Sequence, residues 1–324
     1  MDRLDTLKHN IVNGVLINRQ EALELIDLPL KELSQAADEI RQQMCGNQFD
    51  LCTIVSAKSG RCEEDCAYCA QSAHHEVADI PVYPLLKKEK LLADAKRQAE
   101  AGILRYSIVT SGQRLSQPEI DELCQSIAAI KEEIGIEVCV SLGLLEEAQF
   151  RQLRQAGATR VHCNLETSER FFPEICTTHT YQDKIDTLKA ATRAGLSLCS
   201  GGIIGLGETM IDRIDMILAA RDLGVKSIPL NLLNPIQGTP LGNRHILTPA
   251  ELERTIAIAR FLIPDGSIRL AGGRGLLPDK GKGCFQGGAN AAITGDMLTT
   301  QGITPETDLL MLESLGFDVR LCDE

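Results

Sequence analysis

One pattern constrains this chain more than any other. From about residue 50 onward a stretch of helical character repeatedly ends at a glycine, and an Ile/Val/Leu-rich run follows. The units are "RQAEAGILRYSIVT" (97–110), "IKEEIGIEVCVSLG" (130–143), "LRQAGATRVHCNLE" (153–166), "ATRAGLSLCSGGI" (191–203), "AARDLGVKSIPLNLL" (219–233) and "RFLIPDGSIRLAGG" (260–273). A glycine just past a helix supplies the left-handed backbone that closes its last turn. Short apolar runs without alternation suit strands covered on both faces. With "DLCTIVSAK" (50–58) in front and "GANAAITG" (288–295) behind, eight strands alternate with helices. That order predicts an α/β fold, a closed parallel (β/α)8 barrel of TIM type, while an open doubly wound sheet satisfies the same periodicity. "GGIIGLGE" (201–208) superficially resembles a dinucleotide-binding loop but lacks the G-x-G-x-x-G spacing. Within one domain, 1–45 read as an N-terminal helical extension, 46–295 as the barrel core and 296–324 as a short C-terminal tail.

Composition narrows the partners. A formal net charge of -12 over 324 residues would repel nucleic acid and anionic membranes, which leaves small molecules and other proteins. No run of about 18 apolar residues occurs, and the first thirty residues lack a signal-peptide core, so the expectation is a cytoplasmic protein. In a reducing compartment, twelve cysteines are metal ligands or small hydrophobes rather than disulfides.

The spacing decides for three of them. In "SGRCEEDCAYCAQS" (59–72), Cys62, Cys66 and Cys69 stand at C-x3-C-x2-C, in the loop after the first predicted strand. Barrels of this kind build their active sites from such loops. Structural zinc usually takes a second C-x2-4-C pair, which this chain lacks. Three thiolates instead suit a four-iron cluster with one iron left without a protein ligand. Cys52, Cys139, Cys163 and Cys199 fall inside predicted strands, where inward thiols converge on the barrel axis and could form a second metal site. Each alone also reads as inert packing. Cys45, Cys124, Cys176, Cys284 and Cys322 receive no role. Asn164 and Glu166 alternate onto one face of the fourth strand, although "NLE" followed by Thr167 and Ser168 also suits a bare helix cap. Arg269 is a charge in a central strand, costly unless paired or coordinated.

The triplet, with Tyr68 just before its last Cys, resembles that of the radical S-adenosylmethionine (SAM) enzymes. "SAKSGRCEEDCAYCAQS", "CVSLGLL", "NLETS", "TTHTYQDKIDTLKAATRAG", "CSGGIIGLGE", "IPLNLLNPIQGTPL" and "IRLAGGRG" are similar to successive landmarks of the biotin synthase family, from about residue 50 to 295. The resemblance implies conversion of dethiobiotin to biotin. A 4Fe-4S cluster held by Cys62, Cys66 and Cys69 would bind SAM at its fourth iron and release a 5'-deoxyadenosyl radical. Sulfur would come from an auxiliary iron-sulfur cluster inside the barrel. No side chain is expected to act as acid or base, because the radical chemistry belongs to the cofactors.

Carried over by position, Cys139, Cys199 and Arg269 match three of the four residues that hold the family's 2Fe-2S cluster. Tyr68, Asn164 and Glu166 fall on the SAM side, and Lys184 stands where the family usually has an Arg near the methionyl carboxylate. Asn231 matches a contact to the ureido ring of the substrate, near Asn164, and Ser227 is expected to hydrogen-bond near Arg269. The chain departs from the family at the second strand, where Ser107 replaces a cysteine. Cys52 stands where the common pattern has Ser, and Cys163 where it has His. Serine is a poor iron ligand beside thiolate. The expectation is therefore an alternative set, Cys52, Cys139, Cys163 and Cys199, holding an auxiliary cluster of four irons rather than two. The resemblance also implies a homodimer, a flavodoxin- or ferredoxin-type electron donor and iron-sulfur assembly proteins. Two other readings remain at this point: another radical SAM enzyme of the same branch, akin to the maturase of iron-only hydrogenase or a mutase, and a non-catalytic barrel with a zinc loop.

Overall fold

The computed structural model describes residues 3–322, so the first two residues of the expected extension and the last two of the tail lie outside it. Helices α1 (Arg3–Val12), α2 (Arg19–Glu24) and α3 (Leu30–Cys45) precede strand β1 (Gln48–Lys58). There follow α4 (Lys88–Glu100), β2 (Arg105–Thr110), α5 (Gln117–Glu133), β3 (Glu137–Ser141), α6 (Glu147–Ala156) and β4 (Ala158–His162). Next come α7 (Tyr181–Arg193), β5 (Ser197–Cys199), β6 (Gly202–Ile204), α8 (Met210–Asp222), β7 (Ser227–Leu232) and α9 (Pro249–Leu262). The chain ends with β8 (Ser267–Leu270), α10 (Lys282–Phe285), β9 (Ala291–Thr294), α11 (Pro305–Ser314) and β10 (Asp318–Val319).

Neighbouring strands pair in parallel around the sheet, and β9 returns to β1 in register Asp50 with Ala291 and Leu51 with Ala292. That pairing closes an eight-stave barrel and disposes of the open sheet. The fifth stave is split into β5 and β6, and the break faces Pro229 in β7, a residue with no N–H to give a neighbouring strand. Gly201 fills the break because a Cβ there would sit 2.1 Å from Pro229 O. Five of the six punctuating glycines, Gly102, Gly135, Gly157, Gly195 and Gly224, take left-handed φ as the sequence suggests. Gly266 does not; it is needed for close approach, since a Cβ would lie 2.7 Å from Lys226 O.

Outward strand positions such as Ile108, Val138, Val140, Ile228 and Ile268 are fully covered by the helical layer. Each such side chain stabilises by roughly 1.5–3 kcal/mol. The extension packs outside the barrel through Leu33, Ala37 and Ile40 of α3. The tail is tied down: β10 extends the sheet beside the start of β1, and Asp308 of α11 pairs with buried Arg274 at 2.6 Å. Among the described residues, no helix is long and apolar enough to cross a membrane.

The inside of the barrel differs from its outside. Barrels of this type usually fill their axis with layers of branched aliphatic side chains. Here the inward positions carry Cys52, Ser107, Cys139, Arg160, His162, Cys199, Asn231 and Arg269, and they surround a cavity of about 330 Å³. Short polar and thiol side chains leave that space unfilled.

Candidate functional site

The floor of the cavity is ionic. Asp50, wholly buried on β1, lies 3.2 Å from Arg269, 3.6 Å from Arg160 and 3.9 Å from Arg105. Burial works against its charge, but the three guanidinium groups outweigh it and hold the carboxyl below its ordinary range. Arg269 Nη1 donates to Asp50 O and Ala292 O, both at 3.0 Å, and to Cys52 Sγ at 3.1 Å. Its Nε, equally buried, has no hydrogen-bond partner. Cys139 and Cys199 complete the ring of inward thiols. Burial pushes the Cys139 thiol up to about 12, while Ser107, its register partner across β2 and β3, hydrogen-bonds to it. Ser227 meets Cys199, with Sγ to Oγ at 3.3 Å, and Cys199 in turn acts on Arg269.

The middle of the wall is polar. Asn164 Oδ1 accepts from Gly201 N at 3.1 Å and lies 2.9 Å from His162 Nε2, and Asn164 Nδ2 donates to Glu166 Oε2 at 3.3 Å. Glu166 holds a left-handed φ of 69°, a conformation non-glycine residues rarely accept without a structural reason. The reason lies in its main chain: Glu166 N donates to Gly201 O and Ile203 N to Glu166 O, which stitches the end of β4 across the break in the fifth stave. Burial raises the Glu166 carboxyl, with Lys184 and the Tyr68 hydroxyl pulling the other way. Asn231 donates to Gly202 O at 3.1 Å and accepts from Gly272 N at 2.8 Å, so its amide plane is fixed. His162, which sequence reasoning missed, lines the same wall; burial brings it down to about 4, so it is neutral near pH 7.

Cys163 requires a correction. Side chains alternate along a strand, so Arg160, His162, Asn164 and Glu166 face the cavity while Cys163 faces away, packed into the core outside it. It lies beside Lys184 of α7, behind the cavity wall. The expected ligand set therefore loses one thiol and keeps Cys52, Cys139 and Cys199. Lys184 itself does not line the cavity; α7 opens at Thr180, whose hydroxyl accepts from Asp183 N, and this start places Lys184 near Cys163, Glu166 and Cys66. Burial disfavours its charge, but the acidic groups of Cys163, Glu166, Cys66 and Cys176 around it prevail and its pKa rises.

The cysteine loop covers the mouth. Cys62 N donates to Gln71 O at 2.9 Å and Ala73 N to Cys62 O at 2.7 Å, closing the loop on itself. Burial raises the thiols of Cys62 and Cys69, yet main-chain N–H groups already point at both sulfurs, from Glu64 and Gly112 to Cys62 and from Gln71 and Ser72 to Cys69. Tyr68 reaches the cavity and Glu166. Cys66 donates to Cys176, Sγ to Sγ 3.9 Å, a contact the sequence did not suggest. That hydrogen bond, against burial, brings the Cys176 thiol down to about 4.

The radical SAM superfamily model matches residues 57–220, and the biotin and thiamin synthesis associated domain matches 229–318. Two solved structures share the fold: methylornithine synthase, with a TM-score of 0.84, 18% identity and 97% of both chains covered, and the FeFe-hydrogenase maturase HydG from Carboxydothermus hydrogenoformans, with a TM-score of 0.83, 16% identity, and coverage of 99% of this chain and 80% of that one. A barrel with three thiols at its mouth, matched over half its length by that superfamily, defines a radical SAM enzyme. Among curated relatives, biotin synthase 2 of Corynebacterium diphtheriae is 53% identical, covering 99% of this chain and 97% of its own, and the biotin synthase of Brachyspira hyodysenteriae is 51% identical, covering 99% and 96%. The chain belongs to the biotin synthase family, a sulfurtransferase family of the radical SAM class, and the zinc-loop reading falls away.

Membership implies a 4Fe-4S cluster and SAM, and the donor sets fit. Amide N–H groups aimed at two thiols of the mouth loop suit sulfur ligands that carry negative charge on a cluster. On the floor, Arg105, Arg160 and Arg269 gather around the Asp50 carboxylate and, with Cys52, Cys139 and Cys199, line the cavity. A thiolate-ligated centre there would carry its negative charge beside Arg269, which already donates to Cys52 Sγ and whose buried Nε has no hydrogen-bond partner.

Proposed function

We propose that the chain converts dethiobiotin to biotin, with Cys62, Cys66 and Cys69 holding the radical 4Fe-4S cluster and Cys52, Cys139 and Cys199, with Arg269, holding an auxiliary iron-sulfur cluster. The observation that carries this reading is the placement of two sulfur-rich sites on one barrel, a triplet at the mouth and three inward thiols lower down, with a single cavity of about 330 Å³ lined from Tyr68 to Arg269. Bound there, these groups would supply the electron that cleaves SAM, the radical that takes hydrogen from substrate carbon, and the sulfur that replaces it.

The protein's own residues bind, orient and hold charge. Asn164 and Glu166 offer an amide and a carboxylate on one wall for the ribose hydroxyls, Tyr68 closes that wall, and Lys184, half-buried behind it, sets a positive charge on the side of the methionyl carboxylate. Asn231, with both ends of its amide fixed, presents a planar face to the ureido ring, with Asn164 across from it. His162, neutral, holds Asn164 in place without adding charge. Arg269 keeps its guanidinium charged: burial opposes it, but Asp50, Cys52 and Cys199 raise its pKa.

With Ser107 in place of a thiol and Cys52 beside Arg269, the proposed auxiliary cluster has four irons, three of them on Cys52, Cys139 and Cys199. The proposal extends to a cytoplasmic homodimer served by a flavodoxin- or ferredoxin-type donor and by iron-sulfur assembly proteins. The test is anaerobic turnover with dethiobiotin, joined to Mössbauer spectroscopy and iron analysis. Biotin together with about eight irons per chain is expected; about six irons with a 2Fe-2S spectrum removes the four-iron cluster. Deoxyadenosine formed without biotin removes the substrate assignment.

A further inference from the structure

The loop after β4 carries a thiol, Cys176, to which the reading above gives no task. Main-chain bonding pins this loop under the cysteine loop, with Ala67 N donating to Ile175 O at 2.8 Å. Cys176 Sγ lies 3.9 Å from Cys66 Sγ, and His179 places Nδ1 at 3.3 Å and Nε2 at 3.8 Å from Cys176 Sγ. One donor atom from each of Cys66, Cys176 and His179 falls within 4.8 Å of the other two.

The spacing discriminates between two uses. Two thiolates on one tetrahedral ion, with metal–sulfur bonds of about 2.3 Å, lie about 3.8 Å apart, and a thiolate and an imidazole nitrogen about 3.5 Å. Thiolates on separate irons of a cluster radiate from different metals and stand farther apart. The observed 3.9 Å between the sulfurs, and 3.3 and 3.8 Å from Cys176 Sγ to the two imidazole nitrogens, match the single ion. The far side of the imidazole is also prepared: His179 Nδ1 makes a short hydrogen bond with the buried Glu64 carboxylate, which the Thr178 hydroxyl also holds. Metal-bound histidines commonly use their other nitrogen in this way; Nε2, 3.8 Å from Cys176 Sγ, is the nitrogen left for the ion.

We propose that, in the chain without its radical cluster, Cys66, Cys176 and His179 form a mononuclear site for a borderline-soft divalent cation of the Fe2+ or Zn2+ class. Binding forms two metal–thiolate bonds and one metal–imidazole bond, sends to solvent whatever protons the two sulfurs and the ligating nitrogen carry beforehand, and moves no electrons. In this proposal Cys66 binds either this ion or an iron of the four-iron cluster. The two states are therefore alternatives, and zinc held here blocks loading of the cluster.

Cobalt(II) is the probe, titrated anaerobically into full-length, cluster-free protein with a phosphine reductant present. The wild type is expected to give thiolate-to-cobalt charge transfer and the visible bands of tetrahedral cobalt at the first equivalent. Cys176→Ala and His179→Ala should weaken that equivalent at least tenfold, and Glu64→Gln about tenfold. The double variant Cys62→Ala/Cys69→Ala should keep it. Should Cys176→Ala fail to fold, the near-isosteric Cys176→Ser decides in its place. Wild-type cobalt binding in the Cys176 variant, with loss in the Cys62/Cys69 double variant, would put the ion on the mouth triplet and overturn the proposal. Neither result depends on biotin formation, so the proposed function stands or falls separately.

Discussion

Replacing Asp50 with Asn tests whether the cavity floor is an electrostatic unit. The amide keeps the shape of the carboxylate, so no void opens, but it leaves Arg105, Arg160 and Arg269 around a neutral group. At the observed separations of 3.2, 3.6 and 3.9 Å, and with an effective dielectric of about 20, each attraction is worth roughly 4–5 kcal/mol. Desolvating the carboxylate offsets several kcal/mol of that sum, and removing one member of a buried ionic set typically costs roughly 3–5 kcal/mol net. Denaturant unfolding of the cluster-free protein at pH 7 should show this loss as a lower midpoint with unchanged slope. The acid side gives a second reading. The folded pKa of Asp50 is depressed, so its contribution is fully present above about pH 4, its unfolded value, and disappears as pH falls toward the folded one. The Asn variant should lack that part of the acid transition. A loss below about 1 kcal/mol, the range of exposed ion pairs, would refute the reasoning.

Further outcomes follow from the same geometry. Cys52→Ala should lower auxiliary iron while Cys163→Ala leaves it unchanged, because Cys163 faces away from the cavity; iron analysis of reconstituted protein separates the two. Glu166→Gln should weaken SAM binding about tenfold to a hundredfold by equilibrium dialysis, the range for a hydrogen bond to a charged group. Gly272→Ala should raise the KM for dethiobiotin, since the added Cβ would sit 3.1 Å from Asn231 Oδ1 and tilt its amide, while SAM cleavage proceeds without the matching yield of biotin. His162 is folded with its pKa down near 4, so protonation favours the unfolded chain; stability should fall as pH drops from about 6.5 toward 4, and His162→Gln should flatten that slope.

The barrel was legible because its signals are local. Five of the six glycines close their own helices, and each apolar run is covered on both faces, so periodicity carries the topology without reference to distant residues. The mouth triplet was legible for the same reason, since its three cysteines lie within eight residues. The inward thiols were legible only in part. Alternation that puts Asn164 and Glu166 inside must put Cys163 outside, and the same parity would have found Arg160 and His162. Cys163 belongs to the expected ligand set because it lies in a strand and stands where the family pattern has His, yet one step along a strand reverses the face. The contact between Cys66 and Cys176 gave no local signal. It spans 110 residues and exists because the loop after β4 folds beneath the loop after β1.

What separates this barrel from an ordinary one is where its stability resides. A packed axis would contribute burial energy from every stave, but here the axis holds a cavity, and the interior charges cost desolvation rather than repay it. The outer layer must supply the compensation, and it does so through the wholly covered Ile, Val and Leu positions on the outward faces of the strands and through the helix that precedes β1. The main chain supplies the rest: the break at Gly201 is stitched by Glu166, whose strained backbone also aims a carboxylate into the cavity. A single residue thus closes the fifth stave and furnishes the proposed cofactor contact. Changing its side chain should be felt in binding, whereas changing its backbone, as Glu166→Pro would, should be felt in folding first.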